Sequence, residues 1–487
     1  MSIIKKLVGQ TAIYGLSSIV GRLLNFLLVP LYTGIFVPEE YGVLSVLMTV
    51  VAFAMVVLTY GFETAFFHYT NKEEGSEKVM STGFISLLIT SLLFLVFSSC
   101  YSKPIANLLH VPEHPNFIQW LVWILVLDVL TTLPFAKLRV DHRAWRFASI
   151  RLVNITVNIG LNLFFYLLCP YLLKQRVALN FVESIYDPTM GIGYIFISNL
   201  IASAVMLLLL TPEIFRLKFS FDFTVWKKMV KYGFPLLIGG LAYVTNEMAD
   251  RLLLEHLLPE DFATAQVGIY SACYKIAIFM TLFIQAFRYG AEPFFFAQAQ
   301  KTDAKEKYAL VMRYFIAFTA FIFLAINVFI DVIKNFIRDE AYHEGLDVVP
   351  ILLLANLFLG MYYNLSVWYK VSEKTRFGAY LSVSGALITI VLNILLIPIM
   401  SYMGSAWATL ICYASMCIMS YLFSRRHYPI YYEWKYISFY MICALSLFYI
   451  WTLWHDNHFI MSSMFCITYI FSVIALEKRK KISTFKH

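Results

Sequence analysis

Charge is what this sequence has least of. Aspartate, glutamate, lysine and arginine make up 14% of its 487 residues, against 60% that are hydrophobic. A soluble domain carries nearer a quarter charged residues, so the scarcity excludes an ordinary soluble fold and gives a membrane protein. Paired cysteine motifs are also missing. Cys100, Cys169, Cys273, Cys412, Cys417, Cys443 and Cys466 lie mostly in or beside apolar runs, without CxxC or His/Cys ligand spacing. They read as small hydrophobes, neither a disulfide framework nor a metal site. His68, His110 and the other histidines show no ligand spacing either. The opening "MSIIKK" runs into a long apolar stretch with no small-residue cleavage site, so no cleaved leader is expected. No loop is long enough for an extramembrane enzyme domain.

What is present is a series of apolar runs of spanning length, each about 20 residues or more. Fourteen are expected, at 8–35, 42–69, 80–101, 116–137, 147–169, 190–211, 232–257, 266–297, 310–331, 346–369, 377–399, 402–423, 437–454 and 459–476. The fold class is therefore an all-α polytopic membrane protein. Lysine and arginine orient it: with a cytoplasmic N-terminus, 29 of the 38 fall on cytoplasmic segments and 5 on the opposite side. Both termini are then cytoplasmic, and the net charge of +8 is a topology signal that implies no nucleic-acid partner. The tyrosine- and tryptophan-rich stretches "YPIYYEW" (428–434) and "WHDNHF" (454–459) read as interfacial belts.

The sequence repeats itself. "YGLSSIVGRL" (14–23) returns as "YGFPLLIGGL" (232–241), and "VPEEYG" (37–42) as "LPEDFATAQVG" (258–268). "YGFETAFF" (60–67) returns as "YGAEPFFF" (289–296). The offsets rise slowly, 218, 221, 226 and 229, as short insertions would make them. Spans 1 and 7 both start in the cytoplasm, so the copies share one orientation, the parallel kind of transporter repeat. Two pseudo-symmetric six-helix lobes around a central cavity follow, at 1–225 and 226–424. A helix pair with a basic cytoplasmic tail completes the chain at 425–487. The space between the lobes is the expected substrate path.

The same stretches carry a family resemblance. "GRLLNFLLVPLYTGIFVPEEYGVLSV" (21–46) resembles the start of bacterial polysaccharide flippases, with an arginine in the first span and a P-E-E-Y-G turn after it. "KYGFPLLIGGL" (231–241), "ADRLLL" (249–254) and "VGIYSACYKIA" (267–277) resemble the start of those proteins' second lobe. The likeness runs through both lobes, while the last two spans match only in hydropathy. The family is the O-antigen/polysaccharide flippase branch of the multidrug/oligosaccharidyl-lipid/polysaccharide exporter superfamily. It implies movement of an undecaprenyl-diphosphate-linked oligosaccharide from the cytoplasmic to the periplasmic leaflet of a bacterial inner membrane. O-antigen (lipopolysaccharide), capsule or exopolysaccharide would be the product. A polymerase and a chain-length regulator are the implied partners, besides membrane lipid. No cofactor is implied beyond H+ or Na+ as a coupling ion. Peptidoglycan-precursor flippases are relatives that also use cavity arginines, and Arg22 and the Asp250–Arg251 pair match those cation positions.

Charges inside spans are costly and face a cavity or a partner. Arg22 lies about 14 residues into span 1, Arg251 about 19 into span 7 and Lys275 about 9 into span 8. These three cations are the candidates for binding a diphosphate, since guanidinium pairs bidentately with phosphate oxygens. A second reading stays open for Arg251, because Glu247 and Glu255 lie four residues away on the same face and would neutralise it. Asp128, near the middle of span 4, Glu247 and Asp250 are the coupling-ion candidates; Asp128 reads equally as a hydrogen-bonded structural acid. Glu63, Arg288 and Glu292 fall near cytoplasmic helix ends and are candidates for a cytoplasmic gate. The two glutamates also read as solvated helix-end acids inherited by duplication.

Three other functions remain beside the flippase. A cation-coupled multidrug antiporter of the same superfamily would favour an acid-lined cavity over arginines. A membrane-embedded glycosyltransferase or polymerase would need a large periplasmic loop or a catalytic acid motif, and the longest outer loop, 170–189, has neither. A non-transporting scaffold would have no use for charges within its spans.

Overall fold

A computed structural model describes residues 20–70, 76–177, 179–454 and 459–484. The start of span 1, with its Tyr14–Gly15 frame, and most of "WHDNHF" lie outside these. The described chain is 88% helical without strands. This is the outcome that hydrocarbon imposes, because only a helix satisfies its own backbone polar groups where no water can. The helices, numbered in chain order, are α1 (Val20–Tyr32), α2 (Pro38–Thr70), α3 (Glu77–Cys100), α4 (Pro115–Val140), α5 (Ala144–Gln175), α6 (Gly193–Phe215) and α7 (Phe223–Leu257). They continue with α8 (Glu260–Gln298), α9 (Ala304–Val328), α10 (Glu340–Val371), α11 (Arg376–Met400), α12 (Tyr402–His427), α13 (Trp434–Leu453) and α14 (Phe459–Lys480).

Twelve of these are long and apolar enough to cross a membrane. The other two are the described part of the first expected span and α7, whose middle is apolar but whose ends carry Lys227, Lys228, Lys231, Asp250, Arg251 and Glu255. One expected loop is largely helical. Over 170–189, α5 continues to Gln175 through a π-helical turn at Phe164–Leu168, and Leu179–Ile185 forms a further short helix. Apolar residues at helical spacing (Leu172, Leu173, Phe181, Val182, Ile185) give these segments a face to pack.

The chain divides into two compact units, one ending at Glu255 and one starting at His256. In the first, α2 breaks at its glutamate frame. Tyr60 (φ 32°) and Gly61 (φ 73°) take left-handed backbone, ending one helix at Thr59 and starting the next at Phe62. The break is locked by a backbone contact with α7. A Cβ on Gly233 would sit 2.5 Å from the Tyr60 carbonyl oxygen, and one on Gly61 2.9 Å from the Gly233 oxygen. Only glycine allows both the positive φ and this approach. The first-unit core around it gathers Leu58, Phe62, Phe66, Val129, Leu133, Val225 and Met229. Asp222, in the turn before α7, bonds Lys78 at 2.6 Å, and that ammonium holds its carboxyl down at about 2.

In the second unit the last two helices are tied to α9 by a buried ionic network. Arg313 is 1% exposed. Its Nη1 donates to Glu433 Oε2 at 2.6 Å, its guanidinium also pairs with Glu477, and it lies 4.2 Å from the Tyr436 ring centroid. Tyr440 Oη donates to Glu477, and Lys480 completes the set on Glu433. Removing one member of a buried pair leaves its partner charged and desolvated, at a cost of about 3–5 kcal/mol. Arg313→Ala is therefore expected to destabilise detergent-solubilised protein by that order. Arg313→Met with Glu433→Gln and Glu477→Gln should recover most of the loss. Melting curves monitored by size-exclusion chromatography check this, and an unshifted Arg313→Ala protein would show that α13 and α14 dock by other means.

Candidate functional site

A cavity of about 540 Å3 lies within the first unit. It forms where α2, α4, α5 and α6 fail to close on one another, because several of their facing positions hold short polar side chains in place of leucine or phenylalanine. Four lining residues are charged: Glu63, Asp128, Arg139 and Arg151. Seven are neutral hydrogen-bonding groups: Thr59, Thr64, Thr131, Thr132, Asn154, Asn199 and Ser203. At its exposed end Arg139 Nη1 donates to Glu63 Oε1 at 2.8 Å, each side chain 44% exposed. Arg139 also lies 4.7 Å from the Phe67 ring centroid. Deeper in, the Thr131 and Thr132 hydroxyls donate to the Asp128 carbonyl at 2.8 and 3.3 Å. Asp128 Oδ1 is buried and meets no hydrogen-bond donor among the described residues. Its charged neighbour is Arg151, with Ser203 beside it. The Arg151 guanidinium rests over the rings of Phe135 (4.6 Å) and Phe147 (5.8 Å), a cation–π contact with the cavity wall.

The two glutamates of the repeated frame have matching partners. Glu63 on α2 pairs with Arg139 on α4. Glu292 on α8 accepts from Lys370 Nζ on α10 at 2.6 Å and forms a looser ion pair with Arg288, 3.6 Å away on the same helix. Arg288 itself lies 4.1 Å from the Tyr363 ring centroid. The glutamates are 229 residues apart and their cations, Arg139 and Lys370, 231, continuing the rising offsets of the repeat. In both copies the second helix is thus tied to the fourth by an acid–base pair. Each pair lies inside its own unit.

The diphosphate candidates are placed differently from one another. Arg22 is exposed on α1 and makes no ion pair among the described residues. Arg251 is 6% exposed on α7. Its Nη1 donates to Asp250 Oδ1 and to the Glu247 carbonyl, both at 2.9 Å, and Asp250 Oδ1 also accepts from the Arg251 amide. Tyr41 on α2 lies within its electrostatic reach. The adjacent Asp250 thus supplies a carboxylate to Arg251 from one residue away. Glu255 is engaged by His110 Nδ1 at 3.0 Å. Lys275, half-buried on α8, belongs to the second unit. Among the described residues no cluster of three His, Cys, Asp or Glu side chains is arranged to hold a metal.

Arg139 and Arg151 had counted only as cytoplasmic loop charges. The overlooked signal was spacing: Arg151, Asn154, Asn158 and Asn162 recur every three or four residues, a polar ridge along α5. Its far end receives the Tyr32 hydroxyl, which donates to Asn162 Oδ1 at 2.9 Å.

Apolar helices long enough to span, with charges paired inside them, define a multi-pass membrane protein. The chain belongs to the polysaccharide biosynthesis protein family, whose model matches residues 33–335. No curated protein matches it closely enough to count as a relative. Among solved structures it is similar to the lipid II flippase MurJ in an inward closed conformation, with 14% identity and a TM-score of 0.74 over 97% of this chain and 99% of that one. It is also similar to an inward-facing MATE multidrug resistance transporter of the MOP superfamily, with 13% identity and a TM-score of 0.67 over 83% and 94%. An outward-facing MATE transporter aligns at 15% identity and a TM-score of 0.58, over 87% and 94%. The fold is thus the one shared by these flippases and transporters.

The duplicated ion pairs make a measurable claim. Half-exposed pairs contribute about 0.2–1 kcal/mol after solvent screening. Double-mutant cycles on thermal stability, Glu63→Gln with Arg139→Gln and Glu292→Gln with Lys370→Gln, are expected to give coupling of that size in both units. Zero coupling in both would leave the glutamates as unconnected helix-end acids.

Proposed function

We propose that this protein is a flippase that carries an undecaprenyl-diphosphate-linked oligosaccharide from the cytoplasmic to the periplasmic leaflet of a bacterial inner membrane, by alternating access. The observation that carries the reading is the family match over residues 33–335, in a chain with the fold of a lipid-linked precursor flippase. The product is a surface polysaccharide such as O-antigen, capsule or exopolysaccharide, made with a polymerase and a chain-length regulator as partners. The moving halves are the repeat copies, 1–225 and 226–424, with 425–487 as an accessory helix pair and both termini in the cytoplasm.

The residues divide the work by chemistry. Arg22, Arg251 and Lys275 supply cationic donors for the diphosphate, of which a guanidinium offers five N–H groups in a fixed fork. Arg251 Nη1 donates to Asp250 and to the Glu247 carbonyl, contacts that orient its guanidinium. Asp128, Glu247 and Asp250 are the carboxylates available to a coupling H+ or Na+. Glu63, Arg288 and Glu292 act at the cytoplasmic side. Their ion pairs hold the second and fourth helices of each copy together, so that each moves as a body when that side opens or closes.

In cells, Arg22→Ala and Arg251→Ala should lower surface polysaccharide about ten- to hundred-fold, the loss of one or two charge-assisted hydrogen bonds, with the protein still in the membrane. Lysine at either position should restore part of the activity, since charge returns without the planar fork. Quantified surface glycan and membrane immunoblots check this. If Asp250→Asn combined with Arg251→Gln is stable and fully active, Arg251 serves only its ion pair. If export of cationic dyes is lost in the alanine variants while surface glycan is kept, the protein is a multidrug antiporter.

A further inference from the structure

We infer that the cavity inside the first unit is a glycosyl-binding subsite, separate from the cations that hold the diphosphate; this rests on the flippase reading above. Its volume of about 540 Å3 falls within the roughly 300–1,000 Å3 of small-molecule sites. Those sites are mostly apolar, and this one is not.

Charge balance decides the class of ligand. The lining holds two carboxylates, Glu63 and Asp128, and two guanidinium groups, Arg139 and Arg151. One pair is closed at 2.8 Å, and Asp128 and Arg151 lie within electrostatic reach of each other. A diphosphate would bring uncompensated negative charge to a lining already neutral, and a cationic drug uncompensated positive charge. At the inner end, where Asp128 Oδ1 is cut off from solvent, either costs more than at the exposed mouth. A neutral polyol adds no net charge.

The hydrogen-bonding groups suit such a ligand. Asn154 and Asn199 each offer an amide donor pair and a carbonyl acceptor, and neither makes a side-chain hydrogen bond to the described protein. Asp128 Oδ1 is a buried acceptor without a donor among the described residues. Leaving such a group unmet costs about 1–3 kcal/mol, and a sugar hydroxyl both donates and accepts. Arg151, whose guanidinium carbon lies 4.6 Å from the Phe135 ring centroid and 5.8 Å from that of Phe147, supplies further donors.

The second copy of the repeat supplies the contrast. Beside its matching ion pair, Glu292–Lys370, the space is about 10 Å3 and is walled by Phe287, Phe295 and Phe296. Phe287 stacks onward to Phe315 and Phe283. From one ancestral arrangement, one unit closed on aromatic rings and the other kept a polar hollow. Mere inheritance does not account for a hollow that holds an unmet buried carboxylate oxygen.

The test uses full-length protein in nanodiscs and two probes. One is undecaprenyl diphosphate; the other is the undecaprenyl-diphosphate-linked oligosaccharide extracted from the producing cells. Wild type should bind both, the glycan-bearing lipid more tightly. Asn154→Leu/Asn199→Leu should weaken the glycan-bearing probe by about tenfold, the worth of one or two neutral hydrogen bonds, and leave undecaprenyl diphosphate unchanged. Thr132→Val/Ser203→Ala, a smaller change, should move in the same direction by less and stands in if the leucine variant misfolds. Equal weakening of both probes, or no weakening of the glycan-bearing one in a folded variant, overturns the subsite while leaving the flippase reading intact. Wild type that binds neither probe better than a plain phospholipid overturns both.

Discussion

Water is missing from the interior of a bilayer, and the architecture follows from that. Backbone groups have no outside partner, which requires helices, and ionised side chains have none either, which requires that they meet one another. The structure meets the second demand through contacts between helices. Glu213, 3% exposed on α6, is gripped by Arg146 at 2.7 and 3.1 Å and by Arg143 at 3.0 Å. Arg313 does the same for α13 and α14, and the glutamates of the repeat for the second and fourth helices. Scarce charges thus act as ties between helices, a task that apolar packing alone performs poorly when lipid is as apolar as leucine.

Duplication explains why some ties come in pairs, and divergence explains why their surroundings do not match. The Tyr-Gly-x-Glu frame breaks a helix in one copy and runs through an unbroken α8 in the other. The difference lies in the neighbour: Gly61 meets the α7 backbone at Gly233, an approach that holds its left-handed turn in place. Around the frame, threonine, serine and asparagine on α4, α5 and α6 leave a hollow, while phenylalanine on α8 and α9 fills the second unit. Function in a duplicated fold is best sought where the copies differ in this way.

The helical spans were legible because each is a local property: twenty apolar residues need no partner to be recognised. The segment 170–189 reads as loop because its helices are short and parted at Arg176, whose left-handed backbone (φ 55°) ends α5. The site was legible only in outline. Asp128 stood out as a charge in mid-span, but Arg151, its neighbour, looked like a loop residue, since no residue on α4 hints at what α5 brings to it. Glu63 and Arg139 are 76 positions apart, Glu292 and Lys370 78, and Arg313 and Glu433 120. Pairings over such separations belong to packing, and one sequence does not encode them in any visible period. Asp250 beside Arg251 was visible, but its bond to the Arg251 guanidinium was not, because rotamer and neighbouring helices decide which groups a guanidinium reaches.

The central claim is that this chain moves a lipid-linked oligosaccharide between leaflets. The most direct measurement reconstitutes the purified protein in vesicles whose undecaprenyl-diphosphate-linked oligosaccharide is initially confined to the inner leaflet, and follows its exposure to a membrane-impermeant glycosidase outside. The account predicts exposure that depends on the protein, exceeds protein-free vesicles under an imposed H+ or Na+ gradient, and is lost in Arg22→Ala. Exposure no faster than in protein-free vesicles under either gradient, from protein shown to be folded, would contradict it.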